Sequence, residues 1–368
     1  MDRQNFTTLY KASGMNDTQE MPGLSGPSAP EHFKAIQDFV KVVSPITFCI
    51  GYPLNWLVFY IFSRSKLKTT SSSRYIAAIA FVDNVVIFTY FMIHLSDYYN
   101  VPVYNIYGAC QFLNYFNFIG IFLSIWYVTA LVIDKFIGLY WPVKRSEYCT
   151  EFRAKCVTVL FAIFSIVMYH YLLWTVGNKV NGHTTLCMPY HAPSLMETWS
   201  FLNHVDYVIV AIIPYLTIVI LLGLIIVKLC TYKSNVRQVR GSLRGRLPSV
   251  NTEQEFKTMP LVIAVAVTTI ALGLLFNIYR IFRIMDQNTH TVALCFYQIS
   301  FACKFFSYVM TSESFRDHLT MLCRQCIYHG PGIPLCRGHS ESEPTTFISV
   351  NQQTHGSTED HCIIEGTV

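Results

Sequence analysis

The sequence predicts an all-α membrane protein, a seven-transmembrane helix bundle with a short amphipathic eighth helix. Of its 368 residues, 52% are hydrophobic and only 13% are charged, whereas an ordinary soluble domain carries about 25% charged residues. The apolar residues form seven separate stretches, each close to the roughly 20 residues that a membrane-spanning helix needs. A soluble helical protein is disfavoured, because such runs leave no amphipathic surface for water.

The seven apolar segments are separated by polar loops. The second and seventh segments are more polar than the others, because they contain Asp83 and Lys304. In chain order, the predicted segments are 39–62, 75–95, 107–136, 154–176, 202–229, 258–282 and 292–310.

Lysine and arginine concentrate in every second loop. The loop after the first segment has several bases and no acid, and the loops after the third and fifth segments are also basic. The loop after the second segment, SDYYNVPVYNI, contains neither Lys nor Arg. Because short cytoplasmic loops carry the excess of Lys and Arg, we expect a multi-pass plasma-membrane protein, surrounded by membrane lipid, with an extracellular N-terminus. The net charge of +5 is then an orientation signal, and no nucleic-acid partner is predicted.

The regions on either side of the bundle are assigned by composition. The N-terminal region contains glycosylation sequons at Asn5 and Asn16, which are used only on the extracellular side. The predicted regions are an extracellular segment at 1–38, the seven-helix domain at 39–311, the amphipathic eighth helix at 312–328 and a disordered cytoplasmic tail at 329–368.

The cysteines divide by their predicted side of the membrane. Cys110 begins the third helix at its outer end, and Cys187 lies in the outer loop after the fourth helix. Both face an oxidising compartment, so a disulfide between them is predicted. Cys323 and Cys326 follow the seventh helix on the cytoplasmic side. The sequence leaves two states open for these cysteines, palmitoylation and free thiols.

Several motifs appear in one order along the predicted helices. They are Asn55 in GYPLNWLVFYIF, Asp83 in IAAIAFVDN, the Asp134-Lys135-Phe136 triplet before Pro142, Pro214, and Tyr308 before TSESFRDHL. In this order the chain resembles the rhodopsin-like (class A) G-protein-coupled receptors over residues 39–326. The resemblance implies a receptor that binds an extracellular ligand and activates a heterotrimeric G protein by helix rearrangement. Neither an enzyme nor a cofactor or metal site is expected.

The chain departs from that family at its switch motifs. Lys135 replaces the Arg of the Asp-Arg-Tyr triplet, and Gly273 and Leu275 replace the Trp and Pro of helix six. The Asn-Pro-x-x-Tyr motif of helix seven reads KFFSY, from Lys304 to Tyr308. Since helices six and seven both lose their proline, we expect both to be straighter than in the family.

The predicted switch lies at the cytoplasmic end of helix three and helix seven. The resemblance assigns Asp134, Lys135, Phe136 and Tyr308 to G-protein coupling, with Asp134 and Lys135 expected to pair locally and hold the resting state. Lys keeps the charge of Arg but lacks its planar fork of donors. The contact that holds the resting state and the contact with a G protein are therefore both expected to be weaker than in the family.

A polar cluster is predicted inside the bundle. Its members are Asn55, Asp83, Ser124, Ser300 and Lys304. An isolated charge in the bilayer core costs about 2.5–3.5 kcal/mol or more, so we expect Lys304 to pair with Asp83, in the place of the sodium ion that the family binds there. The alternative is that Lys304 extends along its stem to the cytoplasmic membrane edge.

Polar and aromatic residues in the outer halves of the helices are the ligand-binding candidates. They are Asn117, Asp206, Tyr207, Asn277, Arg280, Arg283, Tyr297 and Gln298, each of which could instead serve helix–helix hydrogen bonding. By resemblance, Asn117 stands where amine receptors have Asp, and Gln298 stands where opsins have the Lys that binds retinal. Neither ligand class is expected, whereas a lipid ligand stays open.

The remaining polar set fits a peptide or a small polar ligand. Asp206 and Arg280 offer both signs of charge, and FNIYRIF at 276–282 resembles helix six of invertebrate neuropeptide receptors, including those for FMRFamide-like peptides. A neuropeptide receptor is therefore predicted, with a chemosensory receptor for a small polar ligand as the alternative. From other classes, a non-signalling receptor-like scaffold and a transporter are kept open.

Overall fold

A computed structural model of the chain describes residues 31–64, 70–104, 106–181, 184–189, 193–240, 250–282 and 287–329. The predicted glycosylation sites Asn5 and Asn16, the ligand candidate Arg283, the Cys326 side chain and the predicted tail from residue 330 lie outside the described parts. The chain divides into two compact units, 1–322 and 323–368. The architecture described below is that of the first unit.

Helices make up most of the described chain. In order they are α1 (Glu31–Arg64), α2 (Ser71–Tyr99), α3 (Ala109–Tyr140), α4 (Pro142–Tyr148), α5 (Glu151–Tyr169), α6 (Leu172–Thr175), α7 (Pro193–Asp206), a π-helix (Tyr207–Ile212), α8 (Ile213–Arg240), α9 (Val250–Phe282), α10 (Gln287–Ala302), α11 (Lys304–Thr311) and α12 (Glu313–His329). Two strands, β1 (Val176–Asn181) and β2 (Thr184–Pro189), lie between α6 and α7.

The predicted membrane-spanning segments are present as helices. Within the described residues, six helical segments are long and apolar enough to cross a membrane, and the bent pair α10–α11 makes a seventh when it counts as one span. Large apolar side chains stay exposed on these helices, including Leu160, Val167 and Val227. Such side chains suit a hydrocarbon environment, and the all-α seven-helix prediction is confirmed.

Polar caps extend the helices beyond their apolar segments. The second helix begins at Ser71 rather than at residue 75, because the Thr70 side chain accepts a hydrogen bond from the Ser73 amide at 3.3 Å. Thr150 caps α5 in the same way, accepting from the Arg153 amide at 3.3 Å. The length of the apolar run does not predict these helix ends. The cap residues are polar, and their side chains accept hydrogen bonds from backbone amides of the first turn that have no partner within the helix.

A β-hairpin follows the fourth segment, whose last predicted residue, Val176, is the first residue of β1. Strands β1 and β2 pair antiparallel, with Asn178 opposite Cys187. The predicted disulfide joins Cys187 to Cys110 at the start of α3, with a Cα–Cα distance of 5.6 Å. The hairpin is thereby fixed to one end of the bundle, here termed the hairpin end. The end where α3 finishes is termed the opposite end.

The seventh span is bent, although the proline of the family's helix-seven motif is absent from it; that the span is straighter than in the family stays a prediction. The axes of α10 and α11 meet at 45°, with Cys303 between them. The Phe301 carbonyl near the break accepts a hydrogen bond from Asn55 Nδ2 of α1 at 3.0 Å. A side chain that enters the hydrogen-bond ladder of a helix permits a kink without proline. The sequence-predicted core residue Asn55 therefore contacts backbone rather than another side chain.

The same bend brings α10 against α1 at a glycine. A Cβ atom added to Gly51 would lie 2.5 Å from the Ala302 Cβ and 3.3 Å from a methyl group of Ile87. Real Cβ atoms do not approach this closely. Gly51 is therefore the residue that allows α1 to approach the bend, as small residues do at membrane helix interfaces.

We predict that Gly51→Ala destabilises the bundle by about 1–3 kcal/mol, the usual cost of overpacking. Thermal unfolding of the purified protein in detergent measures this effect. Gly223→Ala in α8 is the matched control, because a Cβ there meets nothing within 4 Å and alanine favours helix. Equal melting temperatures for the two variants would contradict the close approach.

Candidate functional site

A narrow pocket lies between the helices at the hairpin end. Its walls combine apolar and aromatic side chains with amides and one pair of opposite charges. The lining residues are Tyr90, Ile93, Tyr104, Asn114, Asn117, Phe118, Ile121, Tyr169, Trp199, Asn203, Asp206, Phe276, Arg280 and Leu294. Such a mixture of apolar walls and a few polar groups is typical of a ligand site.

Three of the ligand candidates line this pocket, namely Asn117, Asp206 and Arg280. Two others lie directly behind its wall. The ring of Tyr207 packs under the Arg280 guanidinium at 4.8 Å, and the ring of Tyr297 stacks on Phe276 at 4.7 Å.

The last two described ligand candidates do not line the pocket. Asn277 donates from Nδ2 to the Gly273 carbonyl of its own helix at 2.9 Å. Gln298 is half-buried on α10 and absent from the lining.

The two charges of the pocket pair with each other. Arg280 Nη2 lies 2.5 Å from Asp206 Oδ2, and the Tyr169 hydroxyl donates to Asp206 Oδ1. All three side chains are buried. The contact joins the C-terminal residue of α7 to α9, so these charges are compensated within the protein.

The pocket also contains residues that the sequence prediction missed. Tyr169 lies at the end of α5, and Asn114 and Trp199 lie on α3 and α7. Trp199 precedes the predicted fifth segment, because the apolar run begins only at residue 202 while the helix begins at Pro193. Asn114 donates to the Tyr104 hydroxyl at 2.8 Å and to the Cys187 sulfur at 3.3 Å, so the disulfide borders the pocket.

Gly273, where the family has Trp, faces a tyrosine from another helix. A Cβ atom on Gly273 would overlap the Tyr215 hydroxyl and come within 3.5 Å of the Tyr297 ring. Tyr215 follows Pro214 on α8, and Tyr297 belongs to α10. The space beside α9 is therefore filled by aromatic side chains of two neighbouring helices.

The predicted Asp83–Lys304 pair is present in the middle of the bundle. Lys304 Nζ donates to both Asp83 oxygens, at 3.0 and 2.8 Å, and to the Ser124 hydroxyl at 2.9 Å. The Ser124 hydroxyl donates to Asp83 at 2.6 Å. Both charged side chains are only 1% exposed, so the ammonium does not extend to the membrane edge.

Ser300, predicted for the same cluster, is buried but contacts backbone. Its hydroxyl donates to the Tyr297 carbonyl in its own helix at 2.7 Å. The ammonium of Lys304 is thus held by α2 and α3, through Asp83 and Ser124.

A second and wider cavity opens at the opposite end of the bundle, lined by residues that include Asp134, Lys135 and Arg316. The Asp134 carboxylate accepts from the hydroxyls of Ser71 and Ser72 on α2, at 2.9 and 3.1 Å. Lys135 Nζ donates to the Thr258 hydroxyl on α9 at 3.0 Å. Instead of the expected local pair, the two neighbours tie α3 to two different helices.

The aromatic members of the predicted switch are packed near this cavity. The Phe136 ring packs on Tyr140 at 4.5 Å. Tyr308 is buried against Phe62 and Phe315, with ring centroids 5.9 and 6.0 Å away, and its hydroxyl makes no hydrogen bond within the described residues.

The bundle of seven apolar spans has a pocket bordered by the disulfide, a buried polar centre and a cavity at the other end. These features together define a seven-helix membrane receptor. The family model described as "7 transmembrane receptor (rhodopsin family)" matches residues 54–314. The chain therefore belongs to this family, whose members are signalling receptors rather than enzymes.

Curated relatives are similar at low identity. The human cysteinyl leukotriene receptor 2 is 25% identical over 267 residues, which cover 72% of this chain and 71% of the relative. The chicken thyrotropin-releasing hormone receptor is 26% identical over 217 residues, covering 58% of this chain and 54% of the relative. The chain thus spans about half the length of the second relative.

We predict that Lys304→Ala alone severely reduces folding yield, by a destabilisation of about 3–5 kcal/mol, because it leaves the Asp83 carboxylate buried without its partner. Adding Asp83→Asn should recover part of the loss, because the site then holds no charge. Surface expression and melting temperature of the single and double variants measure the effect. A double variant no better than Lys304→Ala would refute the coupling.

A second double substitution tests the contact at Gly273. Gly273→Ala should destabilise by about 1–3 kcal/mol through overlap with the Tyr215 hydroxyl. In a Tyr215→Phe background the nearest ring atom is 3.3 Å away, so the same substitution should cost clearly less. Melting temperatures of the four proteins in this cycle give the coupling, and additive losses would show that Tyr215 does not fill the space.

Proposed function

We propose that the protein is a plasma-membrane receptor with an extracellular N-terminus that binds a neuropeptide at the hairpin-end pocket and activates a heterotrimeric G protein at the opposite-end cavity. One observation supports this most strongly. The single helix α9 carries a pocket residue, Arg280, near one end and a cavity residue, Thr258, near the other. The helix therefore provides a physical connection between the two proposed sites.

The contacts of α9 suggest how the connection works. Near the hairpin end, Arg280 is held by Asp206, and near the opposite end Thr258 accepts from Lys135 of α3. A ligand that binds more tightly when α9 is displaced shifts the population toward that state. Displacement of α9 then separates Thr258 from Lys135 and breaks one contact that holds this base in place, while contact with the G protein is the role that the family resemblance gives it.

The ligand class is inferred from the pocket rather than from the relatives. One relative is named for cysteinyl leukotrienes and the other for thyrotropin-releasing hormone, and the two names do not agree on a ligand. The amides and aromatic rings of the pocket support a peptide. The narrowness of the pocket supports the alternative, a chemosensory receptor for a small polar ligand.

Guanine-nucleotide exchange in membranes from expressing cells tests the proposal. A promiscuous G protein is supplied, and a neuropeptide library and a polar-metabolite library are screened. Exchange driven by a peptide supports the proposal, whereas exchange driven only by metabolites supports the chemosensory alternative. Binding of a ligand without any exchange would indicate a non-signalling scaffold, for which the altered switch residues Lys135 and Gly273 provide a reason.

We predict that Lys135→Arg increases ligand-driven exchange, because the guanidinium fork supplies more donors to the G protein than an ammonium does. An increase of about tenfold corresponds to about 1.4 kcal/mol, close to the lower end of the range of about 1.5–3 kcal/mol for a hydrogen bond to a charged group. Lys155→Arg is the control, since Lys155 is exposed and pairs with Glu151. Unchanged or lower exchange for Lys135→Arg would count against this role.

A further inference from the structure

We propose that the hairpin-end pocket recognises an uncharged carboxamide, through the Asn117 side-chain oxygen and the Trp199 indole N–H. This inference rests on the proposed function and specifies the ligand chemistry of the same site. It also replaces the expectation that Asp206 and Arg280 offer both signs of charge to the ligand.

The charges of the pocket are already compensated. Arg280 and Asp206 lie 2.5 Å apart and are both buried, and Asp206 also accepts from Tyr169. A ligand carboxylate that took Arg280 would leave the Asp206 carboxylate buried without its cation. A ligand ammonium that bound Asp206 would leave the Arg280 guanidinium buried without its anion. Removing one partner of a buried ion pair is strongly unfavourable, so the pocket disfavours ligands of either charge.

Among the uncharged side chains of the pocket, two polar atoms have no hydrogen-bond partner within the described residues. These atoms are Asn117 Oδ1, an acceptor, and Trp199 Nε1, a donor. The two side chains are only 6% and 5% exposed, and both line the pocket. A buried polar atom that lacks a partner is costly, so these two atoms favour a ligand that supplies one donor and one acceptor.

A carboxamide supplies both groups without a net charge. Its N–H donates to Asn117 Oδ1, and its carbonyl accepts from the Trp199 indole. The other amide near the disulfide, that of Asn114, already donates to Tyr104 and to the Cys110 carbonyl. The walls contributed by Phe118, Phe276 and Leu294 suit an apolar or aromatic group next to the amide.

The experiment measures binding of three matched probes to the full-chain protein in lipid nanodiscs. N-acetylphenylalaninamide is uncharged, N-acetylphenylalanine carries a carboxylate, and phenylalaninamide carries an ammonium. Probes of this size are expected to bind with a dissociation constant on the order of 1 mM. The amide should bind about tenfold or more tightly than either charged probe, as read from probe NMR signals and from the shift in melting temperature.

Two variants test the proposed contacts. Trp199→Phe keeps the ring but removes the N–H and should weaken amide binding by about fivefold or more, the scale of one hydrogen bond. Trp174→Phe is the matched control, because Trp174 is 73% exposed and lies outside the pocket lining. Asn117→Leu removes the acceptor and should have an effect similar to that of Trp199→Phe.

The proposal is overturned if a charged probe binds as tightly as the amide, if none of the probes binds, or if Trp199→Phe binds the amide as Trp174→Phe does. The comparison of the probes on the unchanged protein holds even if a variant fails to fold. Because binding is measured without a G protein, absence of nucleotide exchange would contradict the proposed signalling function while leaving the ligand chemistry supported.

Discussion

The ion pair between Lys304 and Asp83 sets the constraint around which the bundle is packed. It places a full positive and a full negative charge where water cannot reach them, and such a pair is tolerable only when its geometry and remaining hydrogen bonds are satisfied. Ser124 supplies the additional hydrogen bonds, so α2, α3 and α11 must meet at one point. Close to this point, α1 approaches α10 at Gly51, opposite Ala302.

The break between α10 and α11 lies directly beside this pair. Lys304 is the first residue of α11, and Cys303 separates it from α10. Asn55 satisfies the Phe301 carbonyl next to the break. The family motif has a proline in this helix, whereas in this chain the bend occurs without that proline, beside the hydrogen bond from Asn55 of α1. A change of sequence motif has therefore not removed the bend.

The sequence predicts those features of the molecule that depend on composition or on one large free-energy term, such as the cost of burying a charge. The seven spans follow from the length of the apolar runs. The cost of burying a lone charge predicts a partner for Lys304 if it stays inside the bundle, and the family resemblance identifies Asp83 as that partner. The disulfide follows from the location of two cysteines on one side of the membrane. Each of these predictions needs no knowledge of side-chain packing.

The features that the sequence does not predict depend on which side chains meet across helices. Nothing in the pattern around Gly273 indicates that Tyr215 fills its place, and Asp206 and Arg280 look like two ligand contacts until their distance is known. Trp199 is missed because polar residues precede the apolar run of its helix. The β-hairpin is missed because its residues lie in the polar loop after the fourth segment, where only the contact between its two strands distinguishes a hairpin from an irregular loop.

The π-helix at Tyr207–Ile212 has a consequence for Asp206, the residue that immediately precedes it. A π-helical turn contains one more residue than an α-helical turn, and each residue of an α-helix turns the chain by about 100°. The side of α7 that faces the bundle is therefore not the side that an uninterrupted helix would present. Contraction of this turn to α-helical geometry would rotate Asp206 away from Arg280 by about a quarter of a revolution, so the hydrogen-bond register of one helical turn determines whether the two charges meet.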